Sequence, residues 1–487
     1  MNFSLTNKLI IIITIIISVL LSSASFVFDN SYWWDELYSI TGSLQNINDM
    51  FTNFILNDVH PPLHLVVLKI WVYFFGSSEV STRALSFMFS MSSLLLIIIW
   101  STKNTSKHVA MSTIFFFSSS WLLIYYAQEN RAYSMMLFFS TTITLLYIEI
   151  INKKFTEKKL YLLLFLSFIL SLTHYFGFIF SELLLLLLFY QIKAIKHRIY
   201  IVFSGGLSIV WPFIHYTCGS LSSKTGGNFW IKSNGIQTTI TVFINAFLPQ
   251  SSELSNLGSN EYYGEFITMI FVVVMFLWLI YIFKKHSSKL ISIEEYVILK
   301  KLSLYGVLFV TIISLVDLYS PISTTRNFIV LLPLLSIVYG LSVSSLKNRN
   351  KVFCFISILI VVSSFIFSTK TIRNKIYPLQ NHKDTMNYII KNKLYETHKI
   401  YYGFPEKSIF TNSMHKKFTS FYLPENINLY SVSTDKIDTL KPPFVYISQH
   451  RQNDYDSLIE FKKKGIDVDV FEPRQKWKMN SFLIYSK

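Results

Sequence analysis

Stretches of roughly 18 or more mostly apolar residues recur along this sequence, and a run of that length, coiled as a helix, can cross the hydrocarbon of a bilayer. About eleven can be read, near 9–28, 80–100, 109–126, 131–151, 160–176, 177–192, 199–217, 265–283, 302–320, 327–346 and 351–369. Composition agrees, because 52% of the residues are hydrophobic and only 15% are charged, too few for an ordinary soluble domain. The expected fold is an α-helical polytopic membrane protein. The first run, Leu9 to Phe28, follows Lys8 and exceeds the roughly 7–15 residues of a secretory apolar core, which predicts a retained span. A net charge of +16 raises the question of a nucleic-acid partner. The Lys and Arg residues fall in short clusters between apolar runs, however, and cytoplasmic retention of basic loops accounts for that pattern better. No nucleic acid is expected. Cys218 and Cys354 lie far apart, so neither a disulfide framework nor a thiolate metal site is indicated.

The connections alternate in character and so predict an orientation. Lys103 and Lys107, then Lys153, Lys154, Lys158 and Lys159, then Lys193, Lys196 and Arg198, then Lys284 to Lys301, then Lys347, Arg349 and Lys351 mark cytoplasmic loops. The segment 29–79, the turns at 128–131, His174 and 321–326, and the loop 218–264 then lie outside. The N-terminus is expected in the cytoplasm and everything after Thr369 outside. Within the first outer loop, Leu65 to Phe75 is too short to span, begins just after Pro61-Pro62 and ends at Gly76, as an interfacial helix would. After Thr369 the residues turn polar. Alternating segments near 399–403, 443–448, 467–471 and 481–486 predict strands, and 383–393 and 454–464 predict helices. Two domains are therefore expected, a transmembrane part over 1–369 and a small extracytoplasmic α/β domain over 370–487.

Ionisable residues gather at the outer ends of the spans. Asp35 and Glu36 follow Trp33-Trp34, and His60, His64, Arg83, Glu129, Arg131, His174 and Arg326 all map to the same boundary. Each has an ordinary explanation as a snorkelling side chain, a local ion pair or a hydrogen-bonded core histidine. Together they mark a candidate site, since charge near hydrocarbon is costly. A carboxylate at that depth can act as a base on a lipid-borne substrate.

The motifs Trp33-Trp34-Asp35-Glu36, His60-Pro61-Pro62-Leu63, Gly76 with Glu79 and Arg83, Gln128-Glu129-Asn130-Arg131-Ala132-Tyr133, Thr173-His174-Tyr175-Phe176-Gly177 and Arg326 before Leu331-Leu332-Pro333 occur in a set order. In that order they resemble protein O-mannosyltransferase-like glycosyltransferases, a group that includes the aminoarabinose transferases of lipid A. The resemblance runs from about Ser31 to Pro333 and implies a GT-C fold. It also implies an integral membrane enzyme that passes a sugar from a polyprenyl-phosphate carrier to a hydroxyl acceptor on the outer face, with inversion. By that likeness Asp35 and Glu36 are the catalytic pair, with Asp35 the base. His60, Arg83, Glu129, Arg131, His174, Tyr175 and Arg326 are expected to bind substrate. A phosphate leaving group departs as an anion, so cations serve it better than a second acid.

No cofactor is expected to be required, with a divalent cation as the alternative. Pro61-Pro62 separates His60 from His64, which argues against two metal ligands on one helical turn. The short loop 218–264 disfavours a protein acceptor, leaving a membrane lipid or glycan. Two other classes compete. A transporter or lipid flippase would show midspan charges and symmetric halves, whereas here Glu182 and Asp317 are the clearest internal charges and no repeat is visible. A non-catalytic scaffold would present 370–487 and give the outer motifs no role.

Overall fold

The computed structural model of the 487-residue chain describes residues 5–28, 30–152, 154–219, 231, 235–247, 292–346, 362, 365–366, 368–369, 378, 380–404, 412–449, 457–475 and 481–486. The expected spans at 265–283 and most of 351–369, and most of the loop 218–264, lie outside the described residues. The chain divides into two compact units. One comprises Met1–Ser23, Phe51–Val67 and Ala84–Thr371, the other Ala24–Met50, Leu68–Arg83 and Ile372–Lys487.

The first unit is helical. Glu79–Asn104, Tyr133–Ile151, Ile195–Cys218, Ile293–Tyr319 and Thr325–Ser344 are long and apolar enough to cross a membrane, which makes this a multi-pass membrane protein. The expected count of about eleven is not reached among the described residues, for local reasons. The run at 109–126 divides at Ser120, whose extended backbone separates Lys107–Ser119 from Trp121–Tyr126. The runs either side of His174 form helices Glu157–Ser171 and Tyr175–Gln191, of 15 and 17 residues, just short of a full crossing. The helix expected from 302 begins at Ile293 instead, because Ser292 Oγ accepts from Glu295 N–H and Glu295 Oε2 from Ser292 N–H. Lys301 is accommodated in it by donating to Gln191 Oε1 at 2.8 Å.

Close approach holds this unit together. Gly340 lets Leu332–Leu346 lie against Lys107–Ser119; a Cβ at that position would stand 2.8 Å from the Val109 carbonyl oxygen. Phe176, Phe180, Tyr305, Phe309 and Phe328 are buried and meet edge to face, which uses the ring quadrupoles as well as the apolar area. This core lies directly behind the turn that carries His174.

The second unit is built on a five-stranded mixed sheet of order β2-β1-β3-β5-β4, with β1 Lys399–Phe404, β2 Leu429–Ser433, β3 Phe444–Gln449, β4 Val468–Phe471 and β5 Ser481–Ser486. β1 runs parallel to both β2 and β3, and β5 antiparallel to β3 and β4. Four of the strands match the expected segments; β2 was not expected. It is an edge strand with Tyr430 and Ser431 both exposed, so it lacks the alternation that identifies a half-buried strand. Helices His382–Lys391 and Ser457–Lys463 match, and Asn412–Ser420 is new. Helix Trp34–Leu44 belongs to the same unit. The expected interfacial helix forms as Leu63–Phe75 and stops at Gly76, whose φ of 82° is a left-handed terminus that glycine adopts without a Cβ clash.

Candidate active site

In the second unit the Asp-Glu pair opens a helix. Trp33 is the N-cap of Trp34–Leu44, which puts Asp35 and Glu36 in the first turn, where carboxylates are favoured by exposed N–H groups and the helix dipole. The two acids are treated differently. Glu36 is 1% exposed and receives Arg83 through both oxygens, Nε to Oε1 at 2.9 Å and Nη2 to Oε2 at 2.7 Å. Its Oε2 also accepts from Trp33 N–H at 3.4 Å. The remaining guanidinium donors go to the carbonyl oxygens of Asn30 and Ser31, at 2.8 and 3.2 Å. Sequence reasoning puts Arg83 on the substrate and Glu36 with the catalytic acids, whereas the structure commits each to the other. Asp35 is only half-buried.

In the first unit the turn at 128–131 is buried rather than a loose outer loop. Gln128 Nε2 donates to the Leu21 carbonyl at 3.0 Å, and the Glu129 carbonyl accepts from Ser86 Oγ at 2.5 Å. That turn delivers Arg131, whose Nη2 lies 3.4 Å from His60 Nδ1. His60 Nδ1 is also 3.0 Å from Asp58 Oδ1. With its proton on Nδ1 the imidazole donates to Asp58, and Arg131 flanks the pair. The His60 ring stands 5.0 Å from that of His174, His174 stands 5.6 Å from Tyr133, and the Arg326 guanidinium lies 5.4 Å over the Tyr133 ring. Four expected residues, His60, Arg131, His174 and Arg326, are thus joined through Tyr133.

His174 is the N-cap of Tyr175–Gln191, and its Nδ1 accepts from Phe176 N–H at 3.1 Å. The ring proton therefore resides on Nε2, which is buried without a hydrogen-bond partner. Burial, then His60, Arg326 and Arg131, hold the His174 imidazole well below its usual value, so it is neutral. Burial, then Arg131 and His60, push His64 down to about 3, and its Nε2 is likewise buried without a partner. The other expected residues are placed elsewhere. Tyr175 pairs its hydroxyl with His215 Nδ1 at 2.6 Å and stacks on that ring, and Glu129 is buried beside Arg131. Asp58 and His215 were not anticipated. Asp58 stands two residues before His60, a spacing that would have been a fair signal.

Among the described residues no group of three or more His, Cys, Asp or Glu side chains is placed to hold a metal ion. No family model matches the sequence, and no curated protein matches it. Among solved structures the chain is similar to ArnT from Cupriavidus metallidurans in the apo state, with a TM-score of 0.46 and 9% identity over 99% of this chain and 98% of that one. It is similar to ArnT from the same organism bound to undecaprenyl phosphate, with a TM-score of 0.48 and 9% identity over the same shares. A third similar structure is an Archaeoglobus fulgidus oligosaccharyltransferase in complex with Zn and sulfate, with a TM-score of 0.41 and 10% identity over 86% of this chain and 62% of that one.

Proposed function

We propose that this chain is a membrane glycosyltransferase that moves a sugar from a polyprenyl-phosphate carrier to a hydroxyl acceptor, a lipid or glycan, on the outer face of the membrane. The observation that carries this reading is the chain of contacts from Arg131 to His60, His60 to His174, His174 to Tyr133 and Tyr133 to Arg326, which brings cations and a buried, unpartnered N–H donor into one cluster. Such a set is suited to an anion, because charge-assisted donors and a neutral imidazole N–H stabilise a phosphate without a proton having to move. The motif resemblance supplies the sugar and the lipid.

The chemistry follows from the charges. The acceptor hydroxyl attacks the anomeric carbon as its proton passes to Asp35, and the C–O bond to the carrier phosphate breaks with its electron pair leaving on phosphate. A phosphate oxyanion of that kind is what the charge-assisted donors of the first unit, Arg131, Arg326 and the His174 Nε2–H, are suited to bind. One displacement gives inversion. Glu36 takes no proton in this scheme; its ion pair with Arg83 fixes the helix that presents Asp35.

The test uses purified protein in vesicles, with polyprenyl-phosphate sugar in the bilayer and acceptor supplied only to the outer face. Asp35→Asn is expected to lower turnover by about 10²- to 10⁴-fold, the usual contribution of a positioned base. Undiminished turnover in that variant removes Asp35 from the reaction, and transfer that requires acceptor on the cytoplasmic face overturns the orientation.

A further inference from the structure

The helix that presents Asp35 has an unusual start. Its N-cap is Trp33, whose side chain makes no cap hydrogen bond, although the first turn of any helix leaves N–H groups in need of acceptors. Glu36 answers one of them from within. The next is answered from far along the chain, where Gln380 Oε1 accepts from Trp34 N–H at 2.8 Å. On the other side of the pair, Tyr32 N–H donates to the Tyr422 hydroxyl oxygen at 2.8 Å, and that hydroxyl donates to Glu79 Oε1 at 2.8 Å. Lys383 N–H donates to Ser31 Oγ at 3.2 Å. The Trp34 indole lies among His382, His415 and Phe418, with ring separations of 6.4, 5.6 and 5.0 Å. Residues 31, 32 and 34 are thus each held by the segment after Ile372, which contributes no acid or nucleophile to the chemistry proposed above.

We propose that the C-terminal α/β region is a working part of the catalytic apparatus, with Gln380 and Tyr422 as positioning residues that fix the backbone on either side of Asp35. The proposal rests on Asp35 being the base. Gln380 replaces the missing cap and Tyr422 ties the approach strand to Glu79, so together they set where the Asp35 carboxylate stands. Neither touches the donor phosphate in this scheme, so their loss affects turnover and not donor affinity. A displacement of about 1 Å at a reacting group costs on the order of 100-fold in rate.

Full-length Gln380→Leu, assayed with polyprenyl-phosphate sugar, is expected to lower kcat by about 10- to 100-fold while the donor KM stays within about twofold of wild type. Tyr422→Phe is expected to do the same more weakly. Gln380→Glu restores an acceptor at the helix start and should return most of the turnover. Wild-type turnover in Gln380→Leu while Asp35→Asn is inactive overturns the proposal. So does a parallel loss of donor binding, or a Gln380→Glu variant that recovers no turnover, since either marks a merely structural contact. An active Asp35→Asn is a separate result, and removes the base assignment itself.

Discussion

Around Asp35 a set of buried polar groups find partners within their own unit, with Glu36 on Arg83, Tyr32 on Thr82 and the Ser77 carbonyl, and Tyr422 on Glu79. In the helical unit, His64 and His174 are as deeply buried, yet each keeps a ring nitrogen without a partner. Buried polar atoms are almost always satisfied, because leaving one unmade costs roughly 1–3 kcal/mol. An exception is therefore informative. The contrast separates a support, where the Glu36–Arg83 pair and the Tyr32 and Tyr422 hydroxyls are spent on holding the backbone, from a receptor, where two imidazoles each keep a ring nitrogen for a ligand.

The largest effect that would break this comparison is on the support. Removing one partner of a buried ion pair strands the other charge, so Arg83→Met is expected to destabilise the protein by about 3–5 kcal/mol. Adding Glu36→Leu should recover much of that loss, because both charges are then gone. Thermal unfolding in detergent measures it, and a single variant as stable as wild type would mean that the pair does not hold this unit together.

On the receptor side the effect should be on function and not on folding. Arg131→Ala is expected to reduce kcat/KM for the lipid-phosphate donor by about 10- to 100-fold, which corresponds to the 1.5–3 kcal/mol of a charged hydrogen bond. The unfolding midpoint should change little by comparison. An unaltered donor dependence would take Arg131 out of the phosphate site.

The smallest effect is a pH dependence carried by the two buried histidines on the receptor side. His64 and His174 have folded-state values below that of the unfolded chain, near 6.5, so the unfolded state binds protons that the folded state refuses. Stability is retained above that value and falls as the pH drops through it, by about 1.4 kcal/mol per imidazole at pH 5.5. The midpoint should therefore fall between pH 7.5 and 5.5, and His64→Gln should shrink that fall. A midpoint that is flat over this range would mean that one or both rings are protonated in the fold.

Much of this was legible in the order of residues. Apolar runs placed most of the helices, since hydrophobic length is a one-dimensional property, and alternation located four of the five strands. The break at Ser120 and the early start at Ile293 depend on local backbone geometry and a cap, so they shifted boundaries without changing the architecture. The boundary ionisable residues were also identified as a set. What they do was not. Asp35 and Glu36 are neighbours of the same chemical type, and nothing in the dipeptide says that one is locked by Arg83, 47 positions on. Tyr175 and His174 are adjacent too, and one turns to His215 while the other joins His60.

Sequence alone determined that this chain spans a membrane many times, because hydrophobic length acts locally along the chain. Only the tertiary structure decided which acid is spent as a support, which imidazoles are buried with a ring nitrogen left over, and that Gln380 caps a helix 346 positions away. Those outcomes depend on burial and on the partner that folding brings within hydrogen-bond distance, neither of which is encoded at any single position.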